Sequence, residues 1–153
     1  MALAQSLVEG WPFVHPGIAA AAAGAAKADI VHESPGAIAF LDRSPAARGH
    51  VMVIPRTHAA TLLELEADAV GELFRAVQAV MRKLNDALHP TAFHVGWNHG
   101  RAAGQHVFHL HVHVLPRFRE GGRGIQMLGE GPGRESLAEL AEVSDLVAVA
   151  SRP

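Results

Sequence analysis

The longest regular pattern in the chain runs over residues 67–88. Val70, Leu73, Phe74, Val77, Val80, Met81, Leu84 and Leu88 recur there at intervals of three and four. That spacing gathers them into one apolar stripe and predicts a helix from Ala67 to Leu88, stopped by Pro90. Elsewhere the period shortens to two. Ile30–Glu33 and Ala37–Leu41 read as short strands joined by the turn Ser34-Pro35-Gly36. Ser44-Pro45 marks a second connection before an alternating strand at His50–Ile54, which Pro55 stops. Thr91–Asn98 reads as a fourth strand and Gly104–Arg117 as a fifth. In the fifth, Phe108, Leu110, Val112 and Val114 alternate with His109, His111 and His113.

A last helix is predicted from Glu135 to about Val147 on Leu137, Leu140, Val143, Leu146 and Val147. Before residue 29 the period is broken by Pro12, Pro16 and Gly17, although alanine propensity supports a short helix over Ile18–Lys27. After Pro116 the chain is glycine-rich as far as Gly133 and reads as a long exposed loop. No repeat or domain boundary appears. The expectation is one α+β domain over residues 1–153, built on an antiparallel sheet of about five strands with one long crossover helix and a C-terminal helix. Residues 29–117 form its core, residues 1–28 a variable leading segment, and residues 118–153 a closing loop and helix.

Composition narrows the setting. The 153 residues suit a single core, with 49% hydrophobic and 18% charged residues. Lys and Arg number 13 against 15 Asp and Glu, a net charge of −2. No general attraction to nucleic acid or to an anionic membrane follows from that balance. A phosphate-bearing ligand must then be held by local groups. Cysteine is absent, which excludes disulfides and thiolate metal sites and fits a reducing cytoplasm. The first ten residues lack a basic leader, and the alanine run from Ala19 to Ala26 is too short to span a bilayer. Histidine is the unusual component: of 11 residues, seven lie between His89 and His113.

In a strand with a rise of about 3.4 Å per residue, His109, His111 and His113 share one face, with the four apolar residues beneath them. Three jobs suit such a row: metal chelation, nucleophilic and acid–base catalysis, or a stack of histidines satisfied in a polar seam. Burying three imidazoles without purpose needs partners for six ring nitrogens. The preceding loop favours phosphate chemistry. Asn98, Gly100 and Gly104-Gln105 combine glycines that let backbone approach a ligand, turn amides that can nest an anion, and uncharged amide donors.

These residues carry a family resemblance. His109-Leu110-His111-Val112-His113-Val114-Leu115 resembles the HxHxHxx signature of the histidine triad (HIT) superfamily of nucleotide hydrolases and transferases. Phe40-Leu41-Asp42-Arg43-Ser44-Pro45 and Gly49–His58 resemble its second and third strands, and Trp97-Asn98-His99-Gly100 with Gly104-Gln105 its phosphate loop. The likeness covers about residues 29–117. The Val114-Leu115-Pro116-Arg117 ending is closer to the Fhit-type and general bacterial branches than to the Hint type.

The resemblance implies a hydrolase acting on the α-phosphate of nucleoside 5′-phosphate derivatives, either dinucleoside polyphosphates or nucleoside phosphoramidates. His111 would be the nucleophile, forming a nucleotidyl-histidine that water resolves to the nucleoside monophosphate. The His109 carbonyl would hold the far nitrogen of His111 as a donor, and His113 would face the phosphate and leaving group. Gln105, Asn98 and the backbone amides of His106 and Val107 would bind phosphate oxygens, and Asp42 the ribose hydroxyls. A purine nucleotide substrate and a cytoplasmic homodimer, its sheet continued across the two-fold axis, complete the expectation. No cofactor is required, although a divalent cation such as magnesium can accompany a polyphosphate substrate.

Two departures and two rivals belong beside it. His106 stands where many members carry a small hydroxyl residue. The N-terminal CxxC zinc site of some bacterial members is missing, leaving His50 and His94 at most as remnants of ligands. His50 and His58, flanking the third strand, are each read as structural, and Arg101, Arg117, Arg119 and Arg123 as solvated. One rival is a nucleotidyltransferase or phosphorylase on the same fold. The uridylyltransferase branch carries glutamine in place of the third histidine, so His113 favours hydrolysis. The other is a non-catalytic nucleotide-binding or zinc-binding module, with zinc retained on His109 and His113.

Overall fold

The computed structural model describes residues 30–43, 45–118 and 137–150. The expected helix at Ile18–Lys27 and the expected glycine-rich loop beyond residue 118 lie outside them. Five strands form one antiparallel sheet: β1 (Ile30–Glu33), β2 (Ala37–Leu41), β3 (Val51–Pro55), β4 (Ala92–Gly96) and β5 (Val112–Arg117). Their order across the sheet is β1-β2-β3-β5-β4, so β5 lies between β3 and β4. The crossover from β3 to β4 contains α1 (Ala67–Leu88), and α2 (Leu137–Ala150) closes the described chain. Among the described residues no helix is long and apolar enough to cross a membrane.

Pattern and structure agree on α1 from end to end. Its stripe buries Leu73, Val77, Val80 and Leu84 together with Ala76. His89, in a left-handed conformation (φ 49°), caps the last turn by donating its N–H to the Asn85 carbonyl. Pro90 then prevents continuation. The helix packs on the sheet face formed by Ala37, Ala39, Leu41, Val51, Val53, Val112 and Val114. The alternate residues Ile38, Phe40, Met52, Ile54, His113 and Leu115 therefore point to the opposite face. On β4, Phe93 and Val95 pack with the helix-side core, so His94 and Gly96 share the face of His113.

The fifth strand is shorter than its alternation predicts, beginning at Val112 rather than Gly104. Its neighbours explain this. The ladder with β4 stops at the pair Gly96–His113 and that with β3 at Val53–Val112, while the last two residues of β3, Ile54 and Pro55, pair with β2 alone. Phe108 consequently leaves the core and is half-buried, with the Arg101 guanidinium 4.7 Å from its ring centre. The closing helix also differs in phase. Val143, Ser144 and Val147 are buried while Leu146 is 37% exposed, because the buried face is centred one position from the predicted stripe. An ion pair from Arg48 to Glu142 (2.9 Å) ties this helix to the connection before β3.

Candidate active site

The three triad histidines occupy three different environments at the mouth of β5. His109 is completely buried. Its Nε2 lies 3.2 Å from the Pro55 carbonyl and its Nδ1 3.1 Å from His58 Nδ1. A carbonyl can only accept, so Nε2 carries hydrogen and, in the neutral ring, Nδ1 accepts from His58. With both nitrogens engaged, His109 has no nitrogen left over for zinc. The backbone here is anchored too, Leu110 donating its N–H to the Ala59 carbonyl at 2.7 Å.

His111 is half-buried, and its Nδ1 lies 2.8 Å from the His109 carbonyl oxygen. By the same reasoning Nδ1 is the protonated nitrogen, and the neutral ring keeps a lone pair on Nε2. His113 stands edge-on to it, with ring centres 5.1 Å apart. That is closer than the roughly 7 Å between alternate positions of a regular strand.

The tautomer of His113 is set from a distance. The Ala46 N–H donates to His50 Nδ1 at 3.1 Å, and His50 Nε2 lies 2.8 Å from His113 Nδ1. An amide N–H can only donate, so neutral His50 carries its hydrogen on Nε2 and gives it to His113. The proton of His113 then sits on Nε2, directed away from the relay. Burial, reinforced by repulsion from His50, His111 and His94, pushes the His113 pKa down to about 3. Burial also lowers His50, with Asp42 opposing and Arg117 and His111 adding to the effect. Main-chain bonds fix His50 itself: its N–H donates to the Ala47 carbonyl, and its carbonyl accepts from the Asp42 N–H.

Asp42 Oδ2 is 3.6 Å from His50 Nδ1. Asp42, His50 and His113 thus cluster within metal-ligand spacing, their ligand atoms all within 4.8 Å of one another. The donor set argues for a relay. One His50 nitrogen accepts an amide hydrogen and the other hydrogen-bonds His113, so a cation on either would displace a bond already made.

The loop before the triad is wound tightly through two left-handed glycines, Gly100 and Gly104 (both φ 84°). Gln105, expected to bind phosphate through its side chain, is buried and turned inward. Its Oε1 accepts the Gly100 N–H at 2.8 Å, and its Nε2 donates to the carbonyls of Ala60 (2.7 Å) and Val107 (3.0 Å). That geometry makes it a brace for the loop instead. Asn98 is half-buried and donates through Nδ2 to the Gly104 carbonyl at 3.2 Å. Among the described residues no acceptor is bonded to the amides of His106 or Val107, and the His106 side chain is exposed.

Sequence reasoning placed the triad, Asp42 and the loop but read His50 and His58 as merely structural. Both are ring-to-ring partners of triad members. A signal existed for His50, which is in phase with Met52 and Ile54 on an alternating strand. Which strand lay beside it depended on register, and register is not written in one strand.

Comparison with known proteins agrees with this geometry. Residues 23–120 match the HIT domain, and the chain belongs to that family. It is 37% identical over 91 residues to the protein hit of Bacillus subtilis, a match covering 60% of this chain and 63% of that protein. It is 37% identical over 83 residues to the adenosine 5′-monophosphoramidase hnt1 of Schizosaccharomyces pombe, covering 54% and 59%. With the adenylylsulfatase HINT3 of Arabidopsis thaliana it shares 31% over 122 residues, covering 80% and 60%. Each match therefore spans less than two thirds of these relatives' own length. Among solved structures, a HIT-like protein of Bartonella henselae superposes with a TM-score of 0.69 at 28% identity, covering 80% of this chain and 85% of that one.

Proposed function

We propose that the chain is a nucleotide hydrolase acting on the α-phosphate of nucleoside 5′-phosphate derivatives, with His111 as nucleophile. The observation that carries this reading is the 2.8 Å contact between His111 Nδ1 and the His109 carbonyl, which keeps Nε2 unprotonated for attack. Nε2 bonds to the α-phosphorus as the bond from phosphorus to the leaving group breaks, and the electron pair departs with that group. Water then adds to phosphorus and the phosphorus–nitrogen bond breaks. A proton passes from the water to solvent, and the nucleoside monophosphate is released. The His113 Nε2–H and the amides of His106 and Val107 donate to oxygens whose charge grows in both steps. Asp42 takes the ribose hydroxyls. The names of the relatives, a phosphoramidase and an adenylylsulfatase, support an adenosine 5′-phosphoryl group with a variable leaving group. The working form is a homodimer in the cytoplasm, and no cofactor beyond an accompanying magnesium ion is needed.

Replacement of His111 by alanine should abolish turnover while leaving adenosine monophosphate affinity within about threefold, the imidazole being a chemical rather than an anchoring group. Hydrolysis assays with titration calorimetry, and trapping of the adenylyl-histidine by mass spectrometry, check both halves. Hydrolysis by the alanine variant at the native rate would overturn the mechanism. Adding inorganic phosphate and looking for nucleoside diphosphate distinguishes a phosphorylase.

A further inference from the structure

The Nε2 of His94 is buried and has no hydrogen-bond partner among the described residues, although β4 runs directly beside the triad strand. It belongs to the active face. Gly96 is in register with His113, and His94, two residues earlier, shares its side of the sheet. Gly96 supplies the second observation: among the described residues a Cβ built on it would meet only one neighbour within 4 Å, His94 Nε2 at 3.9 Å. The missing side chain therefore leaves a notch beside His113, and the unpaired nitrogen of His94 borders it.

Sheet order gives that notch a direction. Asp42 and His50 lie on the β2 and β3 side of His113, and His94 and Gly96 lie on the β4 side. A nucleotide whose ribose reaches Asp42 and whose α-phosphate lies at the triad therefore has its remaining substituent toward β4. We infer that His94 is a specificity residue for the leaving group, its Nε2–H donating to an anionic oxygen of a phosphate, polyphosphate or sulfate. This rests on the hydrolase reading above. A departing phosphate or sulfate offers such an oxygen at the notch, whereas ammonia from a phosphoramidate offers none. The neighbouring His113 Nε2–H serves the phosphorus under attack, and His94 serves what lies beyond it.

Three substrates sharing one adenosine 5′-phosphoryl group provide the test: adenosine 5′-phosphosulfate, diadenosine triphosphate and adenosine 5′-phosphoramidate. His94→Phe keeps a ring and removes the donor. Gly96→Ala fills the notch with a methyl at ordinary contact distance and leaves His94 in place. Each should lower kcat/KM for the two oxyanion-leaving substrates, relative to the phosphoramidate, by about tenfold or more, as expected for a lost hydrogen bond to a charged group. His94→Gln, which keeps an N–H, should recover part of that ratio. Ratios within about twofold of wild type in both His94→Phe and Gly96→Ala would overturn the assignment. Wild-type protein that hydrolyses none of the three would instead overturn the hydrolase reading, and this inference with it.

Discussion

At the scale of residues, the site is governed by hydrogens whose positions are dictated by groups that cannot change role. A carbonyl at Pro55 and an amide at Ala46 each stand at the end of a histidine pair, and another carbonyl, that of His109, fixes His111. Removing His50 should leave His113 Nδ1 without its donor and let the ring change tautomer. His50→Ala is expected to lower kcat at least about tenfold, the scale of a misplaced proton-bearing catalytic group. Nitrogen-15 shifts of the His113 ring should move with it. A fall in activity with unchanged shifts would assign His50 a packing role only.

The acid limb of stability belongs to the same scale. In the folded protein His113 takes up its proton only near pH 3, and His50 is also lowered. In the unfolded chain both protonate below about 6.5. The unfolded state thus binds more protons in this window, and stability falls as pH drops from about 6.5 toward 3. The contribution is fully present above the upper limit. Denaturation midpoints between pH 7 and 4 should decline in wild type and decline less in His113→Asn. Parallel slopes would show that these rings do not control acid stability.

At the scale of elements, the alternating pattern fixed which residues face which side but not where each strand stops. α1 was legible to its last residue because its stripe, its cap and Pro90 all lie within the segment itself. β5 was not, because its start depends on where its ladders with β3 and β4 stop, at Val53–Val112 and Gly96–His113. The inward turn of Gln105 was hidden for a similar reason, one of its acceptors being Ala60 in a distant connection. Gly49 shows a local residue serving a remote one. It sits at φ 77°, and a Cβ there would lie 2.5 Å from Leu88 Cδ1 and 3.2 Å from Pro116 Cγ. Gly49→Ala should therefore cost more than the about 1–2 kcal/mol of a left-handed backbone. Urea denaturation measures that loss. An alanine variant as stable as wild type would mean the 42–50 connection can reshape itself without penalty.

At the scale of the whole molecule, the sheet has β1 and β4 as its edges, and every residue of β4 is at least partly exposed. Among the described residues nothing pairs with the outer edge of β4, and beside half-buried Phe93, Val95 and Trp97 that edge is where a second copy would add. Sedimentation equilibrium is expected to give about twice the 16.2 kDa chain mass. A monomer at micromolar concentration would remove the dimer from the functional reading. Nothing along the sequence marked β4 as an edge, because its alternation is that of an inner strand and strand order follows from the crossover through α1.

His113 stands between Val112 and Val114, whose side chains are buried on the far side of the same strand. The strand is one backbone thick, so a single rigid rod carries the His113 ring on one side and close-packed methyl groups on the other. Any slack among those methyls would let the rod roll about its axis and swing the imidazole through an arc. In the proposed mechanism the precision of phosphorus attack would thus be borrowed from the tightness of an oily layer that no substrate touches.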